Sequence, residues 1–468
     1  MQRFDLAIIG AGPAGMAAAQ EAATHGLRVV LLDEQARAGG QIYRDVDRVA
    51  DLRGDILGPD YTDGRHLTAG IGRDGITHVT GAVVWAIEED FVISFTKDGK
   101  GAQVAADRVL LATGALERPM PLPGWTLPGV MTAGAGQILL KQSGVLARHA
   151  VLVGSGPLLY LIAAQMVRAG TPPLALVETQ TKADLARAGR HITGALRGWS
   201  YMLKGVKMLA EITRARVPRY TGATQITIEG EGKAEAIRFT SGGKARRIAC
   251  DTVFLHHGVV PNTQAGRSLG VTHRWSTEQS CFVPVLDAWG GTNVPGIFTA
   301  GDGGGIAGAK AAEIAGRIAA LRVAEEAGHL TQNARDQRAT PLLAALAHER
   351  AARPFLDTAY PPCAEALCPA DATVICRCEE VTAGAIRSYA GLGCLGPNQA
   401  KAFGRTGMGP CQGRYCGLTV TALLAETNGR TPDETGYFRI RPPLKPVTLG
   451  ELAAMADPGA KVSDGSDH

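Results

Sequence analysis

The sequence lacks features that would place it in several protein classes. No apolar run reaches the roughly 18 residues that a membrane span needs. The N-terminal stretch FDLAIIG follows no basic segment of the kind that begins a signal peptide. No block of like charge is present, because 48 Lys and Arg are interspersed with 44 Asp and Glu for a formal charge of +4. We therefore expect a cytoplasmic protein with no transmembrane segment and no nucleic-acid partner, and peripheral attachment to a membrane through a partner stays open.

A redox pair of neighbouring cysteines is also missing. The chain has nine cysteines, an odd number, and their spacing matches no secreted disulfide framework, which favours a reducing compartment. Cys250 and Cys281 stand alone, and the pattern C-x-x-C does not occur. This argues against exchange between a dithiol and a disulfide substrate.

Glycine, by contrast, is abundant at 60 of 468 residues, which suits tight turns around phosphate groups. The stretch FDLAIIGAGPAGMAAAQEAATHGLRVVLLDE predicts a strand at 6–9, a turn, an Ala-rich helix and a second strand. In this G-x-G-x-x-G pattern the first glycine permits the turn, the second lets the backbone approach a pyrophosphate, and the third allows close packing of helix and strand. The helix N-terminus then faces the phosphates. The residues assigned to this dinucleotide loop are Gly10, Gly12, Pro13, Ala14 and Gly15.

An acid that binds a ribose hydroxyl is expected about twenty residues after the glycine loop. The second predicted strand, 27–32, ends in Asp33 and Glu34. The spacing favours Asp33, with Glu34 as the alternative. Gly40 and Gln41, in the following stretch GGQIYR, are assigned to the same cofactor site.

Two later segments indicate which dinucleotide binds. DRVLLATGALERPMPLPG ends a predicted strand in Ala112, Thr113 and Gly114, and VPGIFTAGDGGGIAGAKAAEIAGRIAA ends another in Gly301 and Asp302. With the first motif, these segments resemble the FAD-binding domain of the two-dinucleotide, glutathione-reductase-like flavoproteins. The resemblance implies that the acid of the Gly-Asp pair reaches the ribityl chain of FAD and that the helix after it points its N-terminus at the flavin. Alternating strands predicted at 77–85 and 91–96 fit the small antiparallel sheet of such domains.

A second nucleotide-binding pattern lies between the FAD segments. HAVLVGSGPLLYLIAAQMVRAGTPPLALVE repeats strand, glycine turn, helix and strand, with Gly154 and Gly156 in the turn and Glu178 at the ribose-binding interval. The third glycine position is Leu159, whose side chain would separate helix from strand or crowd a ligand. Two interpretations stay open, a site for NADH or another adenine nucleotide such as ATP, and a degenerate domain kept for its fold. Glu178 disfavours the 2′-phosphate of NADPH.

Seven of the nine cysteines fall between residues 363 and 416. Cys376-x-Cys378 and Cys411-x4-Cys416 supply four thiolates, the set that a [2Fe–2S] cluster needs, and each pair comes just before a predicted helix. This segment resembles the helical domain of bacterioferritin-associated ferredoxin, although that family ends in C-x-x-C. The alternatives are a zinc site, a ligand set that uses Cys363 and Cys368, and thiols with a structural role.

The three parts together resemble the α subunits of bacterial opine oxidases and D-hydroxyproline dehydrogenases, through LLDEQARAGGQIYR, PGWTLPGVMTAGAGQILLKQSG and VICRCEEVT…CQGRYC. Subunits of hydrogen cyanide synthase and sarcosine oxidase are similar. The resemblance implies a separate β subunit of the amine-oxidase kind, with its own flavin, that oxidises an opine or cis-4-hydroxy-D-proline. This chain would relay electrons through FAD and the cluster. Interfacial FMN and a small ferredoxin-like γ subunit stay open.

Other functions also stay open, namely a glycine-oxidising hydrogen cyanide synthase subunit, a stand-alone NADH-dependent reductase and a non-catalytic scaffold. No catalytic residue is assigned to the chain. The fold class expected is α/β, with two Rossmann-like domains and a small helical [2Fe–2S] domain. The predicted units are residues 1–120 with 282–330 (a split FAD-binding domain), 121–281 (the second nucleotide-binding domain), 331–370 (a linker), 371–435 (the iron–sulfur domain) and 436–468 (an irregular tail).

Overall fold

Residues 1–455 are described by a computed structural model of the chain. Its strands are β1 (Gln2–Phe4), β2 (Leu6–Ile9), β3 (Val29–Asp33), β4 (Ile76–Thr80), β5 (Val83–Ile87), β6 (Val92–Lys97), β7 (Lys100–Ala106), β8 (Val109–Leu111), β9 (Ala115–Glu117), β10 (Val130–Thr132), β11 (Ala150–Gly154), β12 (Ala175–Glu178), β13 (Arg219–Tyr220), β14 (Thr224–Glu229), β15 (Ala236–Ser241), β16 (Lys244–Ala249), β17 (Thr252–His256), β18 (Val259–Pro261), β19 (His273–Ser276), β20 (Cys281–Pro284), β21 (Ile297–Thr299), β22 (Val374–Cys376) and β23 (Val381–Thr382).

The helices of the same residues are α1 (Pro13–Thr24), α2 (Val46–Leu57), α3 (Pro59–Thr62), α4 (Arg65–Gly70), α5 (Ala133–Ser143), α6 (Pro157–Arg168), α7 (Lys182–Ala188), α8 (Ile192–Arg197), α9 (Trp199–Arg214), α10 (Gln264–Ser268), α11 (Ala309–Glu326), α12 (Gln332–Arg350), α13 (Arg353–Ala359), α14 (Ala364–Leu367), α15 (Ala383–Gly391), α16 (Pro397–Gly404), α17 (Gly417–Thr427), α18 (Pro432–Thr435) and α19 (Leu449–Ala454). Single 3₁₀ turns lie at Gly189–His191 and Gly301–Gly304. Within these residues, no helix combines the length and the apolar character that crossing a bilayer requires.

The first domain is built on a five-stranded parallel sheet in the order β21-β8-β2-β3-β4. Its central strands are continuous apolar runs, such as LAII in β2 and VVLLD in β3, and every residue in them is buried. Such runs are typical of parallel strands that helices cover on both faces. Helices α1 and α11 pack directly on each other beside this sheet, through alanine and glycine rather than large side chains.

A smaller sheet in the order β1-β7-β6-β5 completes the first domain. Strands β5, β6 and β7 pair antiparallel, and β1 joins β7 in parallel. The prediction of one strand over 77–85 is wrong. Gly81, with φ of +67°, lies between β4, which belongs to the parallel sheet, and β5, which belongs to the small sheet.

The second domain repeats the parallel architecture with the strand order β10-β17-β11-β12-β13. The antiparallel sheet β14-β15-β16 packs onto it through buried side chains such as Ile237 and Phe239. The chain enters this domain after β9 and returns through β18, and these two strands pair antiparallel. With the helical C-terminal unit, this confirms the predicted fold class of two Rossmann-like domains and a small helical domain.

The C-terminal unit shares its core with the small sheet of the first domain. Phe95 and Val104 of that sheet belong to the same buried cluster as Ile386 and Leu423 of the helical unit. The tail beyond 436 was expected to be irregular, but part of it is ordered: Phe438 and Leu444 are buried in this core, and α19 packs against β7. The packing of apolar tail residues explains the difference, and residues 456–468 of the predicted tail lie outside the described residues.

Gly316→Ala should destabilise the first domain. A Cβ at Gly316 would overlap the carbonyl oxygen of Ala14, so α1 and α11 would have to separate, and overpacking of this kind costs about 1–3 kcal/mol. The matched control is Gly205→Ala in α9, where a Cβ meets nothing within 4 Å and the change should stabilise by about 1 kcal/mol. The measurement is thermal unfolding, and equal upward shifts in both variants would contradict the packing argument.

Candidate cofactor sites

The glycines of the first loop serve two different purposes. Gly10 has φ of +106°, and a Cβ there would lie 2.6 Å from the carbonyl oxygen of Ala112. A Cβ at Gly15 would overlap the carbonyl oxygen of Gly10, so both positions need glycine for packing within the protein. A Cβ at Gly12 would meet only the Cα of Gly40, at 3.8 Å. Packing therefore does not require glycine at Gly12, whereas the approach of a pyrophosphate does.

The two candidate acids at the end of β3 have different surroundings. Asp33 is buried, and its carboxylate accepts hydrogen bonds from the backbone N–H groups of Ala11 at 2.5 Å and Gln35 at 2.7 Å. Burial raises the pKa of Asp33. Glu34 is on the surface and forms an ion pair with Lys445. Since an ionised carboxylate accepts about four hydrogen bonds, Asp33 keeps capacity for a ribose hydroxyl beside the glycine loop. The placement therefore favours Asp33 over Glu34.

Residues from distant parts of the chain meet at the N-terminus of α1. A Cβ at Gly40 would come within 2.9 Å of the Cα of Gly12, and one at Gly301 within 2.8 Å of the Cβ of Ala14. Ala112 contacts the loop through its carbonyl beside Gly10. The predicted FAD residues Gly40, Ala112 and Gly301 thus lie beside the glycine motif, and we call this part of the molecule the FAD corner.

The loop that carries Asp302 is held by its own acid. The Oδ1 atom of Asp302 accepts hydrogen bonds from the N–H groups of Ala307, at 2.9 Å, and Gly308, at 3.1 Å. Gly308 is the residue before α11, so these bonds fix the N-terminus of that helix. Gly114 lies next to this loop, because a Cβ at Gly303 would be 3.6 Å from its carbonyl oxygen and 3.7 Å from the hydroxyl of Thr113. The remaining lone pairs of Asp302 suit a hydroxyl of the ribityl chain.

Lys141 at the FAD corner was not found from the sequence. Its side chain is buried, and Nζ donates to the carbonyl oxygens of Gln41 at 3.0 Å and Ile42 at 2.9 Å. Burial lowers the pKa of Lys141 to about 7, and the nearby Arg44 contributes to this shift. A lysine in the last turn of a helix is common, because its charge interacts favourably with the helix dipole. The sequence therefore gives no sign that Lys141 contacts a distant loop. Lys141 holds the loop that carries Gly40 and Gln41.

The acid of the second nucleotide domain is already bonded to the protein. Glu178 is fully buried and accepts hydrogen bonds from the hydroxyl of Tyr160 and from the amide of Gln180 at 2.8 Å. Arg219 donates to both of its oxygens, at 2.8 and 3.0 Å. A buried carboxylate needs such partners to offset its desolvation. Glu178 therefore has little capacity left for a ribose.

The chain also crosses its own second glycine loop. The hydroxyl of Ser155, between Gly154 and Gly156, donates to the carbonyl oxygen of Pro361 at 3.0 Å. The N–H group of Cys363 donates to Nδ1 of His257 at 3.1 Å, and the ring of Tyr360 packs edge-on against that of Tyr160. The third glycine position, Leu159, is fully buried in the core. These contacts favour the degenerate domain over a site for NADH or ATP.

The four cysteines predicted as ligands meet in the C-terminal unit as two contacting pairs. Cys376 lies beside Cys416, whose thiol lowers the pKa of Cys376 to about 6, and the N–H group of Gly407 donates to the same sulfur at 3.4 Å. Cys378 lies beside Cys411, and burial raises the pKa of Cys378.

Backbone features support both pairs. A Cβ at Gly409 would overlap the Cβ of Cys378, so the loop needs glycine there. Cys416 is the residue that precedes α17, where the helix dipole favours a thiolate. The helix N-terminus thus favours an anionic group at this end of the site, although the contact with Cys376 raises the pKa of the Cys416 thiol.

This arrangement fits a two-iron cluster better than a single metal ion. Among residues 1–455, no three His, Cys, Asp or Glu side chains converge as a mononuclear site requires. A tetrahedral zinc ion needs four converging donors, whereas a [2Fe–2S] cluster takes two thiolates at each of two irons. The alternative ligands Cys363 and Cys368 differ from this set in position, because Cys363 lies in the core of the second domain and Cys368 is exposed.

The loop of Cys411 and Cys416 lies directly against the segment that closes the FAD corner. The N–H group of Asn262 donates to the carbonyl oxygen of Gly114 at 3.0 Å. Two residues later, the amide of Gln264 donates to the carbonyl oxygen of Gln412, the neighbour of Cys411, at 3.2 Å. A short path through one segment, 262–264, therefore joins the two predicted cofactor sites.

Comparisons with known proteins agree with this architecture. Residues 4–328 match the family described as pyridine nucleotide-disulphide oxidoreductase, and residues 372–456 match the sarcosine oxidase A3 domain. An opine oxidase subunit of Rhizobium meliloti is 44% identical over 97% of this chain and 88% of its own length. Hydrogen cyanide synthase subunit HcnB of Pseudomonas protegens is 32% identical over 94% of this chain and 95% of its own length. In fold, the chain is similar to L-proline dehydrogenase from P. horikoshii, with a TM-score of 0.71, 20% identity and coverage of 96% of this chain and 80% of that one.

Gly12→Val should give a folded protein that no longer holds FAD. The backbone at Gly12 is extended and its surroundings leave room, so the fold tolerates the change, but the side chain would occupy the space of the pyrophosphate. The control is Gly72→Val, at an exposed turn where a Cβ meets nothing within 4 Å. Flavin content per protein is measured by absorbance, and full flavin in Gly12→Val would show that the site is misplaced.

Lys141→Met should change how stability depends on pH. A lysine with a pKa of about 7 when folded and about 10.4 when unfolded loses its proton on folding between these values. The unfolded state then binds more protons, so wild-type stability rises with pH from about 7 to 10, by up to about 1.4 kcal/mol per pH unit, and the full penalty of burial is present below pH 7. As pH rises from about 7 to 10, the midpoint of thermal unfolding of the wild type should therefore increase more than that of Lys141→Met. Parallel curves, as expected for the exposed control Lys182→Met, would contradict the argument.

Proposed function

The chain belongs to the pyridine nucleotide-disulphide oxidoreductase family and to the group that includes the opine oxidase subunits, and from this premise we propose that it is the electron-transfer subunit of a heteromeric oxidoreductase. The substrate class is a secondary amine or D-amino acid, such as octopine, nopaline or cis-4-hydroxy-D-proline. A separate β subunit of the amine-oxidase kind would oxidise the CH–NH bond. The single observation that carries this proposal is the path through residues 262–264 from the FAD corner to the loop of Cys411 and Cys416.

The residues proposed to hold FAD act by close backbone approach and by hydrogen bonding. Backbone N–H groups at the N-terminus of α1 would face the pyrophosphate, Asp33 would bind the ribose and Asp302 the ribityl chain. Lys141 keeps the loop of Gly40 and Gln41 in place against Gly12. The full set proposed for this site is Gly10, Gly12, Pro13, Ala14, Gly15, Asp33, Gly40, Gln41, Ala112, Thr113, Gly114, Gly301 and Asp302.

Cys376, Cys378, Cys411 and Cys416 would hold a [2Fe–2S] cluster. Bound FAD accepts two electrons, and a cluster of this kind passes electrons one at a time, so the pair suits a relay between centres. The chain would supply fixed positions for both groups, because Gln264 and the shared core hold the cysteine loop against the first domain. FMN at a subunit interface and a ferredoxin-like γ subunit are compatible additions, and a cytoplasmic location suits such an assembly.

Three other functions make different predictions. A subunit of a glycine-oxidising hydrogen cyanide synthase is favoured by the similarity to HcnB, which is lower in identity than that to the opine oxidase subunits. A stand-alone NADH-dependent reductase needs the second nucleotide site, where Glu178 and Ser155 are already bonded within the chain. A scaffold subunit would bind cofactors that are not reduced and reoxidised during turnover.

Cys411→Ser should remove iron and labile sulfide while FAD stays bound, because the thiol contacts Cys378 rather than the FAD corner. The matched control is Cys394→Ser, a buried cysteine of the same unit whose thiol donates to the carbonyl oxygen of Gly396. Iron, sulfide, zinc and flavin are measured on both variants. Zinc without sulfide in the wild type would contradict the cluster, and cluster content unchanged in Cys378→Ser would move the ligands toward Cys363 and Cys368.

The isolated chain should not oxidise amines, whereas the complex with its partner subunit should. Dye reduction is assayed with D-octopine, D-nopaline, cis-4-hydroxy-D-proline and glycine, on the chain alone and on the complex. NADH should not bleach the flavin of the isolated chain at a rate near turnover. Substantial amine turnover by the isolated chain would overturn the relay, and rapid bleaching by NADH would favour the reductase.

A further inference from the structure

A line of exposed apolar side chains runs along two consecutive helices of the second domain, α8 and α9. Their exposed fractions range from 41% to 66%, and their spacing of four, three, four and three residues suits one face of a helix. The members of this apolar stripe are Ile192, Leu196, Trp199, Leu203 and Val206. Single exposed apolar residues are ordinary on a protein surface, but a continuous line of them marks an interaction surface.

The stripe is not the face by which α9 packs on its own domain. Ile212 of α9 is fully buried in a core cluster with Leu159 and Met166 of α6, and Met208 and Leu209 pack partly against it. The stripe residues of α9, by contrast, are largely exposed and belong to no core cluster of the described residues. The helix therefore has two apolar sides, one buried in the domain and one exposed.

The segment that carries the stripe is mostly basic, although two acids of neighbouring elements contact it, Asp60 through an ion pair with Lys204 at 2.8 Å and Glu349 through a hydrogen bond from Tyr201. Residues 182–214 contain seven Lys and Arg but only two Asp and Glu. Both acids are already paired, Asp184 with Arg187 and Glu211 with Arg168. Arg197 and Lys207 lie beside the stripe and are exposed.

We propose that this face lies on an anionic lipid bilayer. A helix with Leu, Ile and Trp on one side and Lys and Arg around them is typical of helices that rest in the membrane interface, with the apolar side chains below the headgroups and the basic ones among them. Long basic side chains beside the stripe can extend to the phosphates while their stems stay in apolar surroundings. A second copy of the chain is a poor occupant, since it would bring an equally basic surface into contact. The attachment is peripheral, because no helix of residues 1–455 is suited to cross the bilayer.

The proposal concerns location and stands independently of the cluster. It extends the proposed function, because the complex would then bind the membrane through the second domain of this chain. That domain has its nucleotide loop covered by residues 360–363, so its exposed helices are free to serve as a surface.

The test is binding of the purified full-length protein, with its partner subunit where one co-purifies, to vesicles of phosphatidylglycerol with phosphatidylcholine, compared with phosphatidylcholine alone. Flotation measures binding, and Trp199 reports insertion, because it alone among the chain's five tryptophans is largely exposed. Binding to the anionic vesicles should be at least about tenfold tighter, should weaken in about 0.5 M salt, and should shift tryptophan emission to the blue.

Two variants separate the apolar and the electrostatic contributions. Leu196→Ser with Leu203→Ser should weaken binding at least about tenfold with flavin content unchanged, and Arg197→Glu with Lys207→Glu should do the same without any change in apolar surface. The matched control, Val145→Ser with Leu392→Ser, alters exposed apolar residues outside the stripe and should bind like the wild type.

Several outcomes would overturn the proposal. One is equal binding to neutral and anionic vesicles, or none to either. Another is wild-type vesicle binding by both stripe variants. Loss of the co-purifying subunit in the stripe variants, without vesicle binding by the wild type, would assign the face to a protein partner. A stripe-dependent change in the number of copies of this chain per particle would assign it to self-association.

Discussion

The approach of backbone to backbone around α1 is the constraint on which the FAD corner depends. At Gly15 a side chain would overlap the Gly10 carbonyl oxygen, and at Gly316 it would overlap that of Ala14. Helix α1 therefore approaches the glycine loop and α11 backbone to backbone at these two points, which fixes the position of its N-terminus. Gly40 and Gly301 then contact the same N-terminus from two other parts of the chain. Since the loop is set by hard-sphere contacts, a phosphate site there needs no rearrangement on binding.

Each of the two Rossmann-like domains has a buried acid at the end of a parallel strand, but the two acids differ in their hydrogen-bond partners. Asp33 accepts hydrogen bonds from two backbone N–H groups, that of Ala11 in the glycine loop and that of Gln35, so its carboxylate stays available. Glu178 is surrounded by Tyr160, Gln180 and Arg219, which satisfy it within the fold. Removing one partner from a buried charge of this kind costs about 3–5 kcal/mol, so Arg219 and Glu178 support the second domain rather than a ligand. Residues 360–363 strengthen that role by bonding across the glycine loop.

Local motifs were readable from the sequence, and contacts between distant segments were not. The strand at 6–9, the glycine loop and the grouping of four cysteines follow from spacing alone, because each depends on residues close in the chain. Lys141 gave no signal, since its partners Gln41 and Ile42 lie about a hundred residues away. The prediction of one strand over 77–85 was wrong because the chain turns at Gly81, so that β4 before it and β5 after it belong to different sheets. The sequence of the tail gave no sign that Phe438 and Leu444 are buried, because their partners lie in the helical unit and in the small sheet of the first domain.

The shared core of the C-terminal unit bears on how a relay through this chain would work. A flexibly tethered domain would spend much of its time far from the FAD corner. Here Phe438 and Leu423 pack in one cluster with Phe95 of the first domain, and the guanidinium of Arg267 lies between the rings of Phe282 and Tyr437, 4.7 and 4.4 Å from their centres. Burial lowers the pKa of Arg267 to about 10, so it is still charged at neutral pH and the stacking on both rings is retained. The cysteine loop is thus held at one distance from segment 262–264, so the rate of a relay through the proposed cofactors would depend on the folded chain and not on a docking step.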